Sequence, residues 1–154
     1  MKNLLLRWAY QIYGLQWRIT RPIILGVRMI LLQDNRVVLV RHSYQQQWYF
    51  PGGALKRGET LTEAAMRESA EEVGATFLSE PHLLGVYLNL YEGKNDHIAV
   101  FYSDSFRLQT PTDRWEIAER GVFALEQLPA DLSPGCKRRI RDYQAGNGPY
   151  MGKW

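Results

Sequence analysis

Glu68, Glu71 and Glu72 stand three and four residues apart in the stretch Gly53–Ala75, GALKRGETLTEAAMRESAEEVGA. On a helix, such spacings share a face. At about 100° per residue the three carboxylates occupy an arc of about 100°. Like charges this close repel one another and weaken an isolated helix. Concentrating them on one face suggests a compensating cation, most simply a hard one such as Mg²⁺. Three glutamates taken alone also fit a solvated helix face, so the surrounding residues have to decide.

Those neighbours are suited to a cation site. Oxygen donors without a His or Cys cluster favour Mg²⁺ or Mn²⁺ over zinc. Pro51-Gly52-Gly53 offers backbone that can approach a ligand closely, because glycine has no side chain, and a carbonyl there could be a further oxygen donor. Arg67 could anchor the loop by pairing with Glu59. Cations held by such sets neutralise phosphate oxygens, orient the reacting group and acidify a bound water.

The elements that must position these residues follow from pattern. Thr60 and Glu63 form a T-x-x-E capping box, and Gly74 is a suitable terminator, so a helix is expected from about Leu61 to Val73. Its Leu61, Ala65, Met66, Ser69 and Val73 make an arc beside the carboxylates that would pack on a sheet, with Ser69 small enough to let the helix approach closely. Strands are expected at Ile23–Leu32, Arg36–Arg41, Leu83–Tyr91, His97–Ser103 and Arg120–Leu125, with a hairpin turn at Asp34-Asn35. Ser133-Pro134 opens a last helix through about Tyr143, with Ser as cap and Pro at its first position. Helices flanking a mixed sheet make an α/β sandwich the economical fold class. Before it, Asn3–Arg18 reads as a helix with one narrow polar stripe, Arg7, Gln11, Gly14 and Arg18. A helix so widely apolar must be covered. Docking on the domain's own core is the simplest cover; a dimer contact or a membrane surface are the alternatives. The expected organisation is an N-terminal helix over residues 1–21 and a single domain over residues 22–154.

Composition bounds the rest. A chain of 154 residues suits one domain with a real core. A net charge of +3 suits an anionic ligand and is weak evidence for nucleic acid. One cysteine, Cys136, allows neither an internal disulfide nor a multi-cysteine metal site. No run of about 18 apolar residues suggests a membrane span, and Arg7 interrupts the only leader-like stretch early. A cytoplasmic protein, monomer or homodimer, is expected.

Gly53, five residues, Glu59, seven residues, Arg67-Glu68, two residues, Glu71-Glu72, one residue, Gly74 resembles the Nudix box at every fixed polar and glycine position. Trp48-Tyr49-Phe50-Pro51-Gly52 is similar to the family's entry to that box. The element order also resembles the Nudix fold, an α/β/α sandwich with a mixed β-sheet, through about Tyr143; the N-terminal helix lies outside that core. Ser69 and Ala75 depart from the family's bulky aliphatics, which concerns packing and leaves the acidic set complete.

The resemblance implies a metal-dependent pyrophosphohydrolase of a nucleoside diphosphate linked to another moiety, using Mg²⁺ or Mn²⁺. It implies Glu68, Glu71, Glu72 and the Gly52 carbonyl as metal ligands, and Glu59 with Arg67 as the pair that holds the loop. Glu71 and Glu116 are the candidate general bases, with Glu119 a weaker one, and Arg41 is similar in placement to a phosphate-contacting arginine. Trp48, Tyr49, Phe50, Tyr87 and Tyr91 offer faces for a base to stack on, of which Tyr49 and Phe50 adjoin the box. The expected partner is a small anionic nucleotide. The basic run Lys137-Arg138-Arg139 with Arg141 leaves an RNA 5′ end as a second substrate reading, and a catalytically silent nucleotide-binding domain as a third.

Overall fold

The computed structural model describes residues 23–90, 95–112 and 115–154. The expected N-terminal helix and Tyr91 therefore lie outside the described residues. The elements run β1 (Ile23–Gln33), β2 (Arg36–His42), α1 (Leu61–Val73), β3 (Ala75–Phe77), β4 (His82–Asn89), β5 (Asn95–Ser103), β6 (Phe106–Leu108), β7 (Ile117–Ala124), α2 (Pro134–Ala145) and β8 (Tyr150–Lys153). A 3₁₀ turn, Leu125–Gln127, follows β7.

The main sheet has six strands in the order β7-β2-β1-β5-β4-β8. It is mixed: β1 runs parallel to β5 and β4 parallel to β8, while the other neighbours are antiparallel. Asp34 and Asn35 make the tight turn between β1 and β2 with φ of 51° and 60°, a conformation that Asp and Asn tolerate better than most residues. β3 and β6 form a separate two-stranded sheet. Neither was expected, because three residues are too few to show an alternating pattern. β8 was also unexpected; it pairs along the outer edge of β4.

Alternation along the central strands sends side chains to two opposite layers. Val27, Met29, Leu31, Val38 and Val40 meet Ala64, Ala65 and Val73 of α1. Ile30, Leu32, Val37 and Leu39 meet Cys136 and Ile140 of α2, with Trp48, Phe50 and Leu132. Ser69 is fully buried, and its hydroxyl donates to the Ala65 carbonyl at 2.7 Å, so α1 can lie close to the sheet there. The result is an α/β/α sandwich. Ser133 takes the N-cap position of α2 and Pro134 its first turn, but the Ser133 side chain makes no capping bond.

One irregularity positions the site. β1 and β2 pair only next to their turn, at Leu32–Val37 and Gln33–Arg36, and then diverge. The segment Trp48–Ala54 fills the gap. Val40 and Tyr49 exchange backbone bonds of 2.9 Å, and Val27 and Met29 donate to the carbonyls of Gly53 and Pro51 at 2.9 Å. A glycine is required in the gap: Gly52 has φ of 145°, and a Cβ there would lie 2.1 Å from the Val27 carbonyl oxygen.

Candidate active site

α1 begins and ends as its sequence dictates. Glu63 N–H donates to Thr60 Oγ1 at 3.2 Å and Thr60 N–H to Glu63 Oε2 at 2.8 Å, closing the capping box. Gly74 ends the helix with φ of 70°. Arg67 ties the preceding loop to the helix. It grips Glu59 with two bonds, of 2.5 and 2.9 Å, and donates to the Ala54 carbonyl at 3.3 Å. Arg67 and the Lys56 amide together pull the Glu59 carboxyl down to about 2. The same guanidinium reaches Glu68 at 2.7 Å and Glu71 at 3.2 Å, and Lys56 reaches Glu71 at 3.5 Å.

Glu72 points the other way, into the gap in the sheet, and is only 3% exposed. The Gly52 amide donates to its Oε2 at 2.8 Å. Burial pushes this carboxyl up to about 8, opposed by Arg28 and the Gly52 amide and assisted by the charges of Glu68 and Glu116. Arg28 stands beneath the loop and donates to the carbonyls of Phe50 at 2.9 Å and Gly52 at 3.0 Å. Glu68 lies flat against Gly53, where a Cβ would come within 2.7 Å of its Oε1. Burial raises the Glu68 carboxyl too, against the pull of Arg67.

Glu116 arrives from the start of β7. Tyr44 donates its hydroxyl to Glu116 Oε1 at 2.6 Å, and His42 Nδ1 lies 4.0 Å from the same oxygen. Glu116 is close enough for its charge to help raise both Glu68 and Glu72. Four carboxylates from two distant segments thus share one electrostatic neighbourhood.

The donor set fits a hard divalent cation. All donors are oxygens, the loop is glycine where Glu68 presses on it, and Glu72 is a carboxylate buried without a full counter-charge. Among the described residues, no three His, Cys, Asp or Glu side chains already converge on a point. Glu68 and Glu71 are drawn together through Arg67 instead.

A family model described as the NUDIX domain matches residues 22–143. The chain belongs to the NUDIX family. This Nudix hydrolase is 29% identical over 118 residues to a Bacillus subtilis (strain 168) protein named "Putative 8-oxo-dGTP diphosphatase", covering 77% of each chain. It is 47% identical over 51 residues to an RNA pyrophosphohydrolase of Legionella pneumophila (strain Corby), a match covering 32% of this chain and 29% of that one. Its fold superposes on the MutT NUDIX hydrolase of Burkholderia pseudomallei with a TM-score of 0.70 at 22% identity, over 79% of this chain and 98% of that one.

Placed in this Nudix fold, the expected site residues separate into two groups. Gly52, Gly53, Glu59, Arg67, Glu68, Glu71, Glu72, Gly74 and Glu116 come together around the box helix and its loop. Tyr49 stays half-buried at the edge of the same region, its ring 6.1 Å from that of His42 and 5.8 Å from the Arg28 guanidinium. Phe50 does not belong there: its side chain is fully buried in the α2 layer and has no face for a substrate. Trp48 and Tyr87 are core residues for the same reason. Arg41 is also displaced from its expected role. It stacks 4.6 Å above Trp48 in the α2 layer and pairs with Glu119 at 3.4 Å and Asp131 at 3.6 Å, so its charge is already engaged away from the carboxylates.

A second arginine at the site, besides Arg67, is Arg28, which sequence reading missed. Its signal was present: one cation inside the aliphatic run IILGVRMILL, where a buried charge needs a partner. Tyr44 was missed as well, and nothing in its local sequence sets it apart.

Proposed function

We propose that this Nudix hydrolase cleaves a phosphoric anhydride bond of a small nucleotide with the aid of Mg²⁺ or Mn²⁺. The observation that carries the reading is buried Glu72, held by the Gly52 amide beside Glu68 and within the field of Glu116. Glu68, Glu71, Glu72 and the Gly52 carbonyl would hold the cation, which when bound supplies neutralisation of phosphate charge and a more acidic water.

The remaining work belongs to the chain. Arg67 fixes the loop through Glu59 and holds Glu68 and Glu71 on one side of the helix. Arg28 orients the Gly52 carbonyl from below. A water attacks phosphorus, the anhydride P–O bond breaks, and the water's proton passes to a carboxylate, for which Glu71 and Glu116 are the candidates. Tyr49, half-buried beside Arg28, offers an aromatic face for a base to lean on.

A small nucleotide is favoured over an RNA end by the state of α2. Lys137 donates to the Ala130 carbonyl and Arg138 to that of Trp154. Arg139 is buried on Tyr87 and pairs with Asp142. Of the four cations of the run, Arg139 is committed inside the domain, and Lys137 and Arg138 are engaged with backbone oxygens at its surface.

The test is a panel of nucleoside triphosphates, oxidised guanine nucleotides, nucleoside diphosphate conjugates and 5′-triphosphorylated RNA, with Mg²⁺, Mn²⁺ or chelator, identifying the bond that breaks. Release of phosphate, pyrophosphate or nucleoside monophosphate from a small nucleotide, abolished by chelator, is expected. No hydrolysis across the panel, with nucleotide binding retained, would instead mark a silent binding domain.

A further inference from the structure

The end of β2 and the start of β7 are locked to one another around Glu116. Past the irregularity in β2–β7 pairing between Arg41 and His42, the Ser43 amide donates to the Glu116 carbonyl at 2.8 Å. The Ser43 hydroxyl donates to the Trp115 carbonyl at 3.3 Å. These bonds fix the backbone of Glu116 but not its side chain, which is 51% exposed. A half-exposed glutamate has several rotamers, and fixing one costs side-chain entropy.

Tyr44 supplies what the backbone bonds leave out. Its ring stacks on His42, centroids 5.2 Å apart and planes 23° from parallel, and His42 is buried. Braced there, the phenol reaches Glu116 Oε1 at 2.6 Å, a short charge-assisted bond. Burial and the Glu116 charge hold the phenol's pKa well above its ordinary value, so it remains a donor throughout the neutral range. A carboxylate has about four acceptor positions, and the phenol occupies one of them.

We infer that Tyr44 is a positioning residue, holding the Glu116 carboxylate beside Glu68 and Glu72 in the orientation that hydrolysis requires. The inference rests on the proposed hydrolase reading and adds to it the residue that sets the geometry of its downstream acid. Tyr44 acts through Glu116, and a substrate contact is not part of its role.

Tyr44→Phe removes one oxygen and keeps the ring stacked. Three measurements on the full chain test it. In a crystal structure of the variant, the Glu116 side chain should leave its rotamer while the backbone from Ser43 to Tyr44 and at Glu116 stays in place. With the best nucleotide of the panel, kcat should fall between about ten- and a hundredfold, the scale of a small misplacement of a reacting group, with KM within about twofold. The double variant Tyr44→Phe/Glu116→Gln should be no slower than Glu116→Gln alone, because both changes disable one unit. Glu116 keeping its rotamer, a loss confined to KM, or losses that multiply in the double variant would each overturn the inference. If the unmodified protein hydrolyses nothing, the hydrolase reading fails by itself, and the crystal structure still decides whether Tyr44 sets the Glu116 rotamer.

Discussion

Glu68, Glu71 and Glu72 of α1 occupy three different environments. Glu71 is the most exposed, Glu68 is half-committed to Arg67, and Glu72 is buried against the Gly52 amide. Glu71→Gln and Glu72→Gln preserve shape and remove the ionisable carboxyl, so each should slow hydrolysis by about 10²-fold or more with circular dichroism unchanged. Near-normal rates in both variants would remove the site from consideration. The Glu72 environment also sets a pH dependence. Its folded pKa of about 8 lies above the ordinary carboxyl value of 4.5, so the folded state holds the proton more tightly. This contribution is complete below about pH 4.5 and is lost as pH rises towards 8, at up to about 1.4 kcal/mol per pH unit. With chelator present, urea midpoints should decline over that window, and Glu72→Gln should flatten the decline. Added Mg²⁺ must compete with the same proton, so it should raise the melting temperature more at pH 8.5 than at pH 5.5; equal shifts at both would count against Glu72 as a ligand. The spacing of these residues was legible in the sequence because helix geometry is local. Their unequal environments were not, since they depend on Arg28 and on a gap between two strands.

The box helix shows how far local chemistry carries. Its start and stop were legible, because a capping box and a left-handed glycine are decided within a few residues, and of the expected arc Ala65, Ser69 and Val73 are buried, while buried Ala64 and Glu72 were not expected. Each end can be tested separately. Thr60→Ala removes the side-chain acceptor and should cost about 1 kcal/mol of stability. Gly74→Ala should cost more, about 2 kcal/mol or above, since φ is 70° and the new Cβ would meet the Gln109 backbone carbonyl at 2.2 Å. Thermal or urea unfolding measures both, and equal losses would show that the Gly74 turn is relaxed more easily than this packing implies. β3, β6 and β8 were not legible. Each has three or four residues and exists because a partner distant in sequence offers an edge, β3 and β6 to each other and β4 to β8, which no short window of sequence reveals. Phe50 and Arg41 were misplaced for a related reason. Their roles depend on which side of the sheet they face, and the gap-filling Trp48–Ala54 segment decides that for Phe50.

At the scale of the whole molecule, the box carboxylates and the basic run stand on the two helices that cover opposite layers of the sheet. Glu68, Glu71 and Glu72 lie on α1 among Arg67 and Lys56. The α2 side holds a basic helix whose cations clasp the last strand: Arg138 donates to Trp154, and Arg139 donates to the Lys153 carbonyl at 3.1 Å while stacking 3.8 Å over Tyr87. Tyr87 in turn donates to Asp142 at 3.0 Å, the carboxylate that pairs with Arg139 at 2.8 Å. From sequence, four cations in five positions read more readily as a solvated face than as an RNA surface; the partners of Lys137, Arg138 and Arg139 lie before α2, within it, on β4, in β8 and beyond it. Their removal therefore predicts a structural result. Lys137→Ala with Arg138→Ala should leave the ratio of RNA 5′-end to mononucleotide hydrolysis unchanged, within about twofold. Arg139→Ala should leave that ratio alone too, but lower the unfolding midpoint, because it strips a buried charge from Asp142 and opens space beside Tyr87 and Trp154, a loss of about 3 kcal/mol or more. Rates on both substrate classes, measured beside urea unfolding, separate the cases. A selective loss of RNA hydrolysis with stability intact would return α2 to the role of a nucleic-acid surface and put the RNA end ahead of the small nucleotide.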